Sequence, residues 1–559
     1  MAISARRSPR PARAGNFDKS FDIVIAGGGG VGLATACFSA WLGNKVLLLE
    51  KAPELGGTTI KAAFWYWVPN NEPMKAMGLV DKKEDCLRYL ARISRPEVYN
   101  PKHPRFGMSE WEYDACVAIY DNASKATELL NAKGALEYRH CPGVPDYWAE
   151  LPEDKAPVGR VLVTKQARDS MSDGGVHAIR TLAGAARKAG VDIQTSHRVQ
   201  RTIVDEDGRV VGVEADNGQG KALRFGARKA VVFATGGFTH DPELRQHHLS
   251  APVKGGCAAV TNEGDFVHIG AAMGAHLRNM NYAWMCPVVF EKVVNKDPGL
   301  IGTFSPSGDS MIYVDRNGRR VTNEKLAYNE SAQAFFKWDP AKSEYPNLVL
   351  VAVWDQRSQD HSASDEYGRF IVPKGADAKH VIKGKTLEEL AANVRKRLKR
   401  YAAETGNLAL SADFEKNLKA TIKRFNGFAR AGKDADFQRG ERPVELLFNG
   451  PTAPKTGKNP TMYPISSSGP FYAALMTGGN LDTKGGPATN VDGQVLDALG
   501  RPIPGLYGVG NCVASASARS YWAGGATLGP FMAFAYLAAN AADKEPGSAK
   551  ARRREAVDA

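Results

Sequence analysis

The residues best suited to chemistry lie near the C-terminus, in the stretch "RSYWAGGATLGP" from Arg519 to Pro530. Here Tyr521 stands close to Gly524 and Gly525, just before an apolar segment of helical character. A tyrosine hydroxyl and the bare backbone N–H groups of glycines can donate hydrogen bonds to one ligand oxygen. The stretch therefore predicts a ligand site, and the alternative is a loop that only packs on a core helix.

A second glycine-rich stretch lies in "FDIVIAGGGGVGLATACFSAWLGNKVLLLEK" near the N-terminus. Its pattern predicts a strand over 21–26, a helix over 33–42 and a strand over 45–49. The turn has the spacing Gly27-x-Gly29-x-x-Gly32, and the second strand ends at Glu50. Such glycines allow a tight turn and close approach of a pyrophosphate, while the acid binds a ribose hydroxyl. The unit predicts nucleotide binding.

Further segments predict additional loops and strand ends that contact the nucleotide. Gly57 and Thr58 follow the acid and resemble the second flavin-contacting loop of FAD enzymes, which favours FAD over NAD. The buried strand in "KAVVFATGGFTH" ends at small residues, and "GLYGVGN" indicates a last parallel strand that ends at the nucleotide. Between them, "VDIQTSHRVQRTIVDEDGRVVGVEAD" predicts a strand pair with a hairpin at 206–208.

These patterns predict an α/β fold class with a Rossmann-like FAD-binding domain, built on a mixed sheet with helices. An α+β substrate or cap domain is inserted into it, because the segment after about residue 285 has new strands and two amphipathic helices with basic outer faces. The predicted division is a disordered basic tail (1–19), the FAD-binding domain in two parts (20–284 and 451–543), the cap domain (285–450) and a second disordered tail (544–559).

Composition limits the function classes. The chain has 559 residues, 43% hydrophobic and 24% charged, which is typical of a globular protein of two or three domains. The net charge of +13 is concentrated partly in the termini, which indicates either solubility or attraction to anionic membrane surfaces. Basic segments are not interleaved with aromatic residues, so nucleic acid is not expected as a partner. The seven cysteines are scattered, which favours a reducing cytoplasm and no metal site.

Six motifs carry a resemblance to a known family: "GGNLDTKGG", "GLYGVGN", "SYWAGGATLGP", "ARAGKDADFQRG", "GRRVTNEKLAY" and "PDYWAELP". Together they resemble the FAD-dependent fumarate reductase/succinate dehydrogenase superfamily, and within it the 3-ketosteroid Δ1-dehydrogenases. The resemblance extends over most of the chain. It implies that the FAD-binding domain is of the GR2 type and that FAD is bound non-covalently. It also implies desaturation of a cyclic 3-oxo substrate, most simply a ketosteroid.

The resemblance also implies roles for individual residues. The Tyr521 hydroxyl and the Gly525 N–H would hold the ketone oxygen, and Tyr328 would remove the α-proton as a phenolate. Tyr147 would donate a hydrogen bond to Tyr328, with Tyr113 as its alternative, and flavin N5 would accept the hydride. The residues assigned to cofactor binding are Gly27, Gly29, Gly30, Gly32, Glu50, Lys51, Gly57, Thr58, Thr59, Val199, Ala234, Thr235, Gly236, Gly510, Asn511, Thr527 and Leu528.

One departure from the family pattern bears on the substrate. Where these enzymes carry small residues after the "GGT" motif, this chain has Ala62-Ala63-Phe64 followed by Trp65-Tyr66-Trp67. Bulk beside the flavin would narrow the pocket, so a smaller cyclic ketone of the cyclohexanone type is the alternative to a steroid. Two further hypotheses are a fumarate-type ene-reductase and a flavin-binding electron carrier. In the loop of Tyr147, Asp146 is expected to be a solvated charge.

The expected partners follow from this chemistry. They are a small hydrophobic cyclic ketone or steroid and an external electron acceptor of the quinone or dye type. A cytoplasmic location is expected, whereas peripheral membrane contact and the oligomeric state are left open.

Overall fold

The computed structural model of the chain describes residues 9–167, 173–306, 308–364, 378–448 and 457–547. The chain divides into two compact units. The first unit contains residues up to Ser250, Ala258–Ala283 and the chain from Asp482 onward. The second unit contains Ala251–Cys257 and Trp284–Leu481. The cap domain of the sequence prediction, 285–450, falls within the range of the second unit.

The first unit is built on a nine-stranded mixed sheet. Its strands are Ala12–Arg13, Lys19–Ala26, Val46–Leu49, Asp192–Gln194, Arg198–Val204, Val210–Asp216, Ala222–Phe233, Gln494–Leu496 and Pro502–Gly508. Five of these strands lie side by side in parallel. Their order across the sheet is Pro502–Gly508, Ala222–Phe233, Lys19–Ala26, Val46–Leu49 and Asp192–Gln194. The carboxyl ends of parallel strands lie at the same edge of a sheet, and ligands of open α/β sheets bind outside that edge.

Helices and two small sheets complete the first unit. Its α-helices are Gly30–Trp41, Glu72–Ala76, Lys83–Ser94, Glu110–Ala132, Gly174–Lys188, Pro242–His248, Asp265–Ala272 and Leu528–Lys544, with 3-10 helices at Gly57–Lys61 and Gly510–Cys512. The small sheets comprise Tyr66–Trp67, Val161–Thr164 and Tyr138–Cys141, and the pair Leu277–Arg278 and Gly486–Pro487. No helix in the described ranges is long and apolar enough to cross a membrane.

The predicted elements of the first unit are confirmed. The strand, turn, helix and strand at 19–49 occur in the expected order, and Lys19–Ala26 pairs in parallel with Val46–Leu49. The hairpin at 206–208 joins Arg198–Val204 to Val210–Asp216 in antiparallel register. The last parallel strand, Pro502–Gly508, pairs with the end of Ala222–Phe233.

The N-terminal tail requires a correction. Part of the segment expected to be disordered, Ala12–Arg13, pairs in parallel with Arg198–Val204 at the sheet edge. The Arg224 guanidinium donates a hydrogen bond of 2.6 Å to the Arg13 carbonyl oxygen and so also holds this strand. Backbone pairing of this kind depends on a tertiary partner, which a basic, proline-containing composition does not reveal. Residues 1–8 and 548–559 lie outside the described residues.

The second unit is built on a five-stranded sheet with helices on it. The strands are Ala283–Val289, Met311–Val314, Leu350–Asp355, Ile382–Gly384 and Phe471–Thr483. The helices are Phe290–Val294, Tyr328–Ser331, Gln356–Ser364, Leu387–Arg400, Ala402–Thr405, Phe414–Ala431 and Pro443–Phe448, with a 3-10 helix at Ala332–Phe336. Leu387–Arg400 and Phe414–Ala431 bury their apolar faces in one core with strand residues such as Val351 and Val353. Their basic residues are left outward, as amphipathic periodicity predicts.

A fully buried carboxylate in this unit is held by two arginines. Glu324 accepts hydrogen bonds from Arg320 at 2.8 and 2.9 Å, and Arg439 approaches to 3.1 Å. Burial alone would raise the pKa of Glu324, but the two guanidinium charges lower it to about 2. The ion cluster therefore stabilises the folded unit whenever Glu324 is ionised.

This cluster predicts a specific acid sensitivity. Because the folded pKa of Glu324 lies below its unfolded value, its stabilisation is complete above about pH 4.5 and is lost as pH falls toward about 2. The loss is on the order of 3 kcal/mol. Glu324→Gln should lower the free energy of unfolding at neutral pH and flatten its decline between these pH values, as measured by urea unfolding. Glu404→Gln, at an exposed position, is the control, and an unaltered pH dependence in Glu324→Gln would contradict the prediction.

Candidate active site

The glycine-rich turn is formed by backbone that leaves no space for side chains. Gly27 has φ +113°, a conformation that L-residues avoid, and a Cβ there would overlap the Ala234 carbonyl. A Cβ at Gly32 would overlap the Gly27 carbonyl oxygen. Helix Gly30–Trp41 begins directly after Gly29, which supplies no side-chain cap. The turn and the uncapped helix start fit the pyrophosphate of a dinucleotide.

Two side chains from neighbouring loops hold this turn in place. The Glu50 carboxylate accepts hydrogen bonds from the Gly28 N–H at 2.7 Å and the Ala52 N–H at 2.8 Å. The Thr59 hydroxyl accepts a hydrogen bond of 3.2 Å from the Gly30 N–H. Glu50 thus lies at the end of strand Val46–Leu49, where a ribose-binding acid is expected.

Several of the remaining predicted cofactor residues follow strands of the first unit's main sheet. Gly57, Thr58 and Thr59 form one 3-10 helix, Ala234 to Gly236 follow strand Ala222–Phe233, and Gly510 and Asn511 follow strand Pro502–Gly508. Leu528 begins the last helix after Thr527, whereas Val199 lies in the antiparallel strand Arg198–Val204. The Lys51 ammonium lies 2.8 Å from the Asp265 carboxylate.

Sequence reasoning missed Asp482, which connects two of the loops that follow these strands. Its buried carboxylate accepts hydrogen bonds from the Gly237 N–H at 3.0 Å, Asn262 at 2.8 Å and Asn511 at 3.2 Å. Burial raises the pKa of Asp482, and these donors only partly offset that effect. The loop after 234–236 is thereby fixed to the loop of Asn511. The signal that could have found it was an acid at the end of a buried strand, inside the motif "GGNLDTKGG".

The structure brings together three of the four predicted catalytic residues, all within the first unit. The rings of Tyr147 and Tyr521 pack edge to face with centroids 5.5 Å apart, and both residues are buried. Gly525 lies four residues after Tyr521, is itself buried, and has φ +84°. The alternative to Tyr147, Tyr113, packs instead against Phe106.

The backbone carbonyl and N–H groups of Gly525 differ in their hydrogen bonding. Its carbonyl oxygen accepts hydrogen bonds of 3.1 Å from both the Trp67 and the Gly529 N–H. Within the described part of the chain, its own N–H has no acceptor. A buried N–H without a partner is costly, and such groups are rare unless a ligand or water satisfies them. Gly525 therefore presents a donor suited to a ligand oxygen.

The aromatic run at 64–67 forms the wall beside this donor. Phe64, Tyr66 and Trp67 are fully buried and belong to the core, whereas Trp65 is only partly buried. A Cβ at Gly524 would overlap the Trp65 ring, so this indole lies directly against the glycine pair. The space next to Gly525 is consequently bounded by a large planar side chain.

The expectation that Asp146 is a solvated charge is wrong. Asp146 is buried and forms an ion pair with Arg160, which is completely buried and also binds Asp81 at 2.7 and 2.8 Å. The Trp67 indole N–H donates a further hydrogen bond of 2.9 Å to Asp146. Burial raises the pKa of Asp146, and the guanidinium opposes this. The loop that carries Tyr147 is thus anchored by a buried charge rather than exposed to solvent.

Tyr328 lies in the second unit. It is the first residue of the short helix Tyr328–Ser331, is buried, and packs edge to face on Phe304 with ring centroids 4.8 Å apart. The next side chain, Asn329, accepts a hydrogen bond of 3.2 Å from the Met285 N–H and fixes the start of this helix.

Comparison with known proteins defines the class. The model of the family described as "FAD binding domain" matches residues 22–528, so the chain belongs to this family. The glycine turn, the uncapped helix start and Glu50 described above fit the cofactor. The protein binds FAD and is an FAD-dependent oxidoreductase of the class that acts on CH–CH bonds.

Particular relatives lie among the ring-ketone dehydrogenases. The chain is 30% identical to a 4-oxocyclohexanecarboxylate 2-dehydrogenase of Sinomonas cyclohexanicum, with 96% of each chain covered. It is 28% identical to a 3-oxosteroid 1-dehydrogenase of Mycolicibacterium smegmatis, covering 93% of this chain and 97% of the relative. The crystal structure of the 3-ketosteroid Δ1-dehydrogenase of Sterolibacterium denitrificans shares the fold, with a TM-score of 0.78, 23% identity, and coverage of 94% of this chain and 100% of that one. The resemblance found in the motifs is confirmed.

The glycine turn yields a direct test of cofactor binding. Gly32→Ala should lower the flavin content of the purified protein at least tenfold, because its Cβ would overlap the Gly27 carbonyl and displace the turn. Flavin is measured by absorbance after denaturation. Gly184→Ala is the matched control, since its Cβ would meet no atom within 4 Å and alanine favours a helix. A Gly32→Ala protein with full flavin content would contradict the assignment.

Proposed function

We propose that this protein desaturates a cyclic 3-oxo substrate between the carbons α and β to its ketone. The observation that carries the proposal is the buried Gly525 N–H without an acceptor among the described residues, four residues after Tyr521. A hydroxyl and a backbone N–H are neutral donors, and neutral donors suit a ketone oxygen in an apolar site. Both relatives described above are named as dehydrogenases of oxo-substituted rings, which supports the same chemistry.

The chemistry needs these donors because the α-proton is only weakly acidic. Removing it places negative charge on the ketone oxygen, and aimed hydrogen bonds stabilise that charge in the transition state. Each donor of this type contributes roughly 3–4 kcal/mol. FAD, when bound, supplies the acceptor for the hydride that leaves the β-carbon.

We assign the removal of the proton to Tyr328 and the tuning of its basicity to Tyr147. An ordinary tyrosine has a pKa of about 10, so a phenolate base requires stabilisation by a donor. A tyrosine base predicts activity that rises toward alkaline pH, because the fraction of phenolate increases there.

One observation favours a ring smaller than a steroid. The Trp65 ring lies against Gly524, so the space beside the ketone donors is bounded by an indole. The relative with 30% identity is named for a six-membered ring that carries a carboxylate. We therefore place 4-oxocyclohexanecarboxylate-type ketones beside ketosteroids as candidate substrates. An external acceptor of the quinone or dye type completes the cycle.

The substrate class is tested by turnover with an artificial electron acceptor. Purified protein is supplied in separate assays with 4-oxocyclohexanecarboxylate and with 4-androstene-3,17-dione. The proposal expects dye reduction with at least one of the two ketones and an unsaturated product detected by mass spectrometry. The Trp65 wall predicts a higher kcat/KM for the smaller ring. Oxidation of neither ketone would overturn the proposal.

The roles of the two tyrosines are tested by removal of single hydroxyls. Tyr521→Phe should lower kcat roughly 100- to 1,000-fold, because one of two oxyanion donors is lost. Tyr328→Phe should remove turnover, because phenylalanine cannot accept the proton. Flavin content should be unchanged in both.

The matched control is Tyr313→Phe, another fully buried tyrosine, whose hydroxyl has no hydrogen-bond partner in the described structure. It should retain wild-type turnover. A wild-type rate in Tyr328→Phe would exclude that residue as the base.

A further inference from the structure

Helix Lys83–Ser94 carries a tyrosine whose hydroxyl lies where two loops meet. The first is the Tyr147 loop, residues 146–148, and the second is the Tyr521 loop, residues 518–522. The Tyr89 hydroxyl donates a hydrogen bond of 2.7 Å to the Trp522 carbonyl oxygen. It also accepts a hydrogen bond of 3.4 Å from the Trp148 N–H. One oxygen atom thus bonds to the residue after each of the two site tyrosines.

The Trp522 carbonyl oxygen is the acceptor that both loops share. Besides the Tyr89 hydroxyl, it accepts a hydrogen bond of 3.0 Å from the Tyr147 N–H. Three hydrogen bonds therefore join the two loops through the Tyr89 hydroxyl and the Trp522 carbonyl oxygen, and removal of the hydroxyl would break two of these three. The rings of Tyr147 and Tyr521, whose centroids lie 5.5 Å apart, belong to the two loops that this junction joins.

The same helix holds the Tyr521 loop at a second point. The Trp522 indole N–H donates a hydrogen bond of 2.9 Å to the Ser94 hydroxyl, which is also 2.9 Å from the Ser520 hydroxyl. Tyr89 and Ser94 therefore form one rigid platform for residues 520–522. Positions on a helix are more precise supports than positions on loops.

The surroundings of Tyr89 keep its hydroxyl neutral. The residue is completely buried, and burial raises its pKa, as do the nearby charges of Asp146 and Asp154. The Arg160 guanidinium carbon lies 6.0 Å from the centre of its ring. A neutral hydroxyl retains the proton that it donates to Trp522, so the junction holds throughout the ordinary pH range.

We infer that Tyr89 is a positioning residue that sets the distance between Tyr147 and Tyr521 by joining their loops through its hydroxyl. It acts through those two residues, and it is not proposed to touch substrate or cofactor. This inference rests on the proposed function for its kinetic consequences, but the junction itself is a property of the fold. Small displacements of donors and bases at a site lower rates strongly, which is why such support matters.

The variant Tyr89→Phe removes only the hydroxyl and keeps the buried ring. Hydrogen exchange of the Tyr147 and Trp148 amides, measured by mass spectrometry or NMR on the full-length flavoprotein, reports the junction without any substrate. We expect exchange at these amides to rise about fivefold or more, the factor that corresponds to loss of a typical neutral hydrogen bond. Unchanged exchange would overturn the inference.

Kinetics then test the positioning role. Tyr89→Phe should lower kcat about tenfold or more while KM changes less than threefold, and it should shift the alkaline rise of kcat/KM to higher pH. Faster exchange with unchanged kinetics would overturn the positioning role. The two proposals can fail separately. If the wild-type protein oxidises neither ketone but Tyr89→Phe still shows faster exchange, the proposed function is refuted and the junction is supported.

Tyr472→Phe is the matched control. The Tyr472 hydroxyl donates a hydrogen bond of 2.6 Å to the Gln356 side chain, so this variant also loses a tyrosine hydroxyl hydrogen bond, outside the two loops and outside the cluster around Arg160. It should lower the melting temperature as much as Tyr89→Phe does, without changing the kcat or the pH profile. Equal kinetic losses in both variants would indicate a general loss of stability and would overturn the specific role of Tyr89.

Discussion

Burial of the Arg160 guanidinium away from water is the constraint on which the geometry of the candidate site depends. A charge in that position is strongly destabilising unless carboxylates and hydrogen bonds compensate it, and Asp81 and Asp146 provide this compensation. Because Asp146 directly precedes Tyr147, neutralising the arginine also fixes the backbone of a site tyrosine. Trp67 extends the arrangement, since its indole binds Asp146 while its N–H binds the Gly525 carbonyl. The ion cluster around Arg160 is thus linked to the Tyr147 loop through Asp146 and to the Gly525 carbonyl through Trp67.

The second constraint on the site is the close approach of backbone segments at two glycines. At Gly32 and at Gly525, an added Cβ would overlap other backbone atoms, so the chain itself approaches closely at both places. At the first, the approach forms the turn that fits the FAD pyrophosphate, and the second is a buried residue whose N–H has no acceptor in the described structure. The charged groups around Arg160 bind the loop of Tyr147, whereas the two donors proposed to bind the ketone, the Tyr521 hydroxyl and the Gly525 N–H, are neutral.

Features of the fold and site that depend on local sequence patterns could be predicted, whereas those that depend on contacts between distant segments could not. The nucleotide-binding unit was predictable, because its glycine spacing and apolar strands are local patterns whose meaning is fixed by backbone geometry. The position of Asp146 was not, because a loop aspartate looks solvated until its partner is known, and Arg160 and Asp81 lie in other segments. Pairing of Ala12–Arg13 with the sheet edge and the junction at Tyr89 could not be predicted for the same reason. Motif resemblance identified Tyr147 and Tyr521, but only the fold places their rings against each other.

The proposed reaction removes a proton and a hydride from a cyclic ketone, and bound FAD would supply the acceptor for the hydride. The most direct measurement is an anaerobic titration of the oxidised flavoprotein with 4-oxocyclohexanecarboxylate or 4-androstene-3,17-dione, followed by flavin absorbance and product analysis. We expect loss of the oxidised flavin spectrum in step with the appearance of one ring double bond per flavin. An unbleached flavin with both ketones, or bleaching without a new double bond, would contradict it.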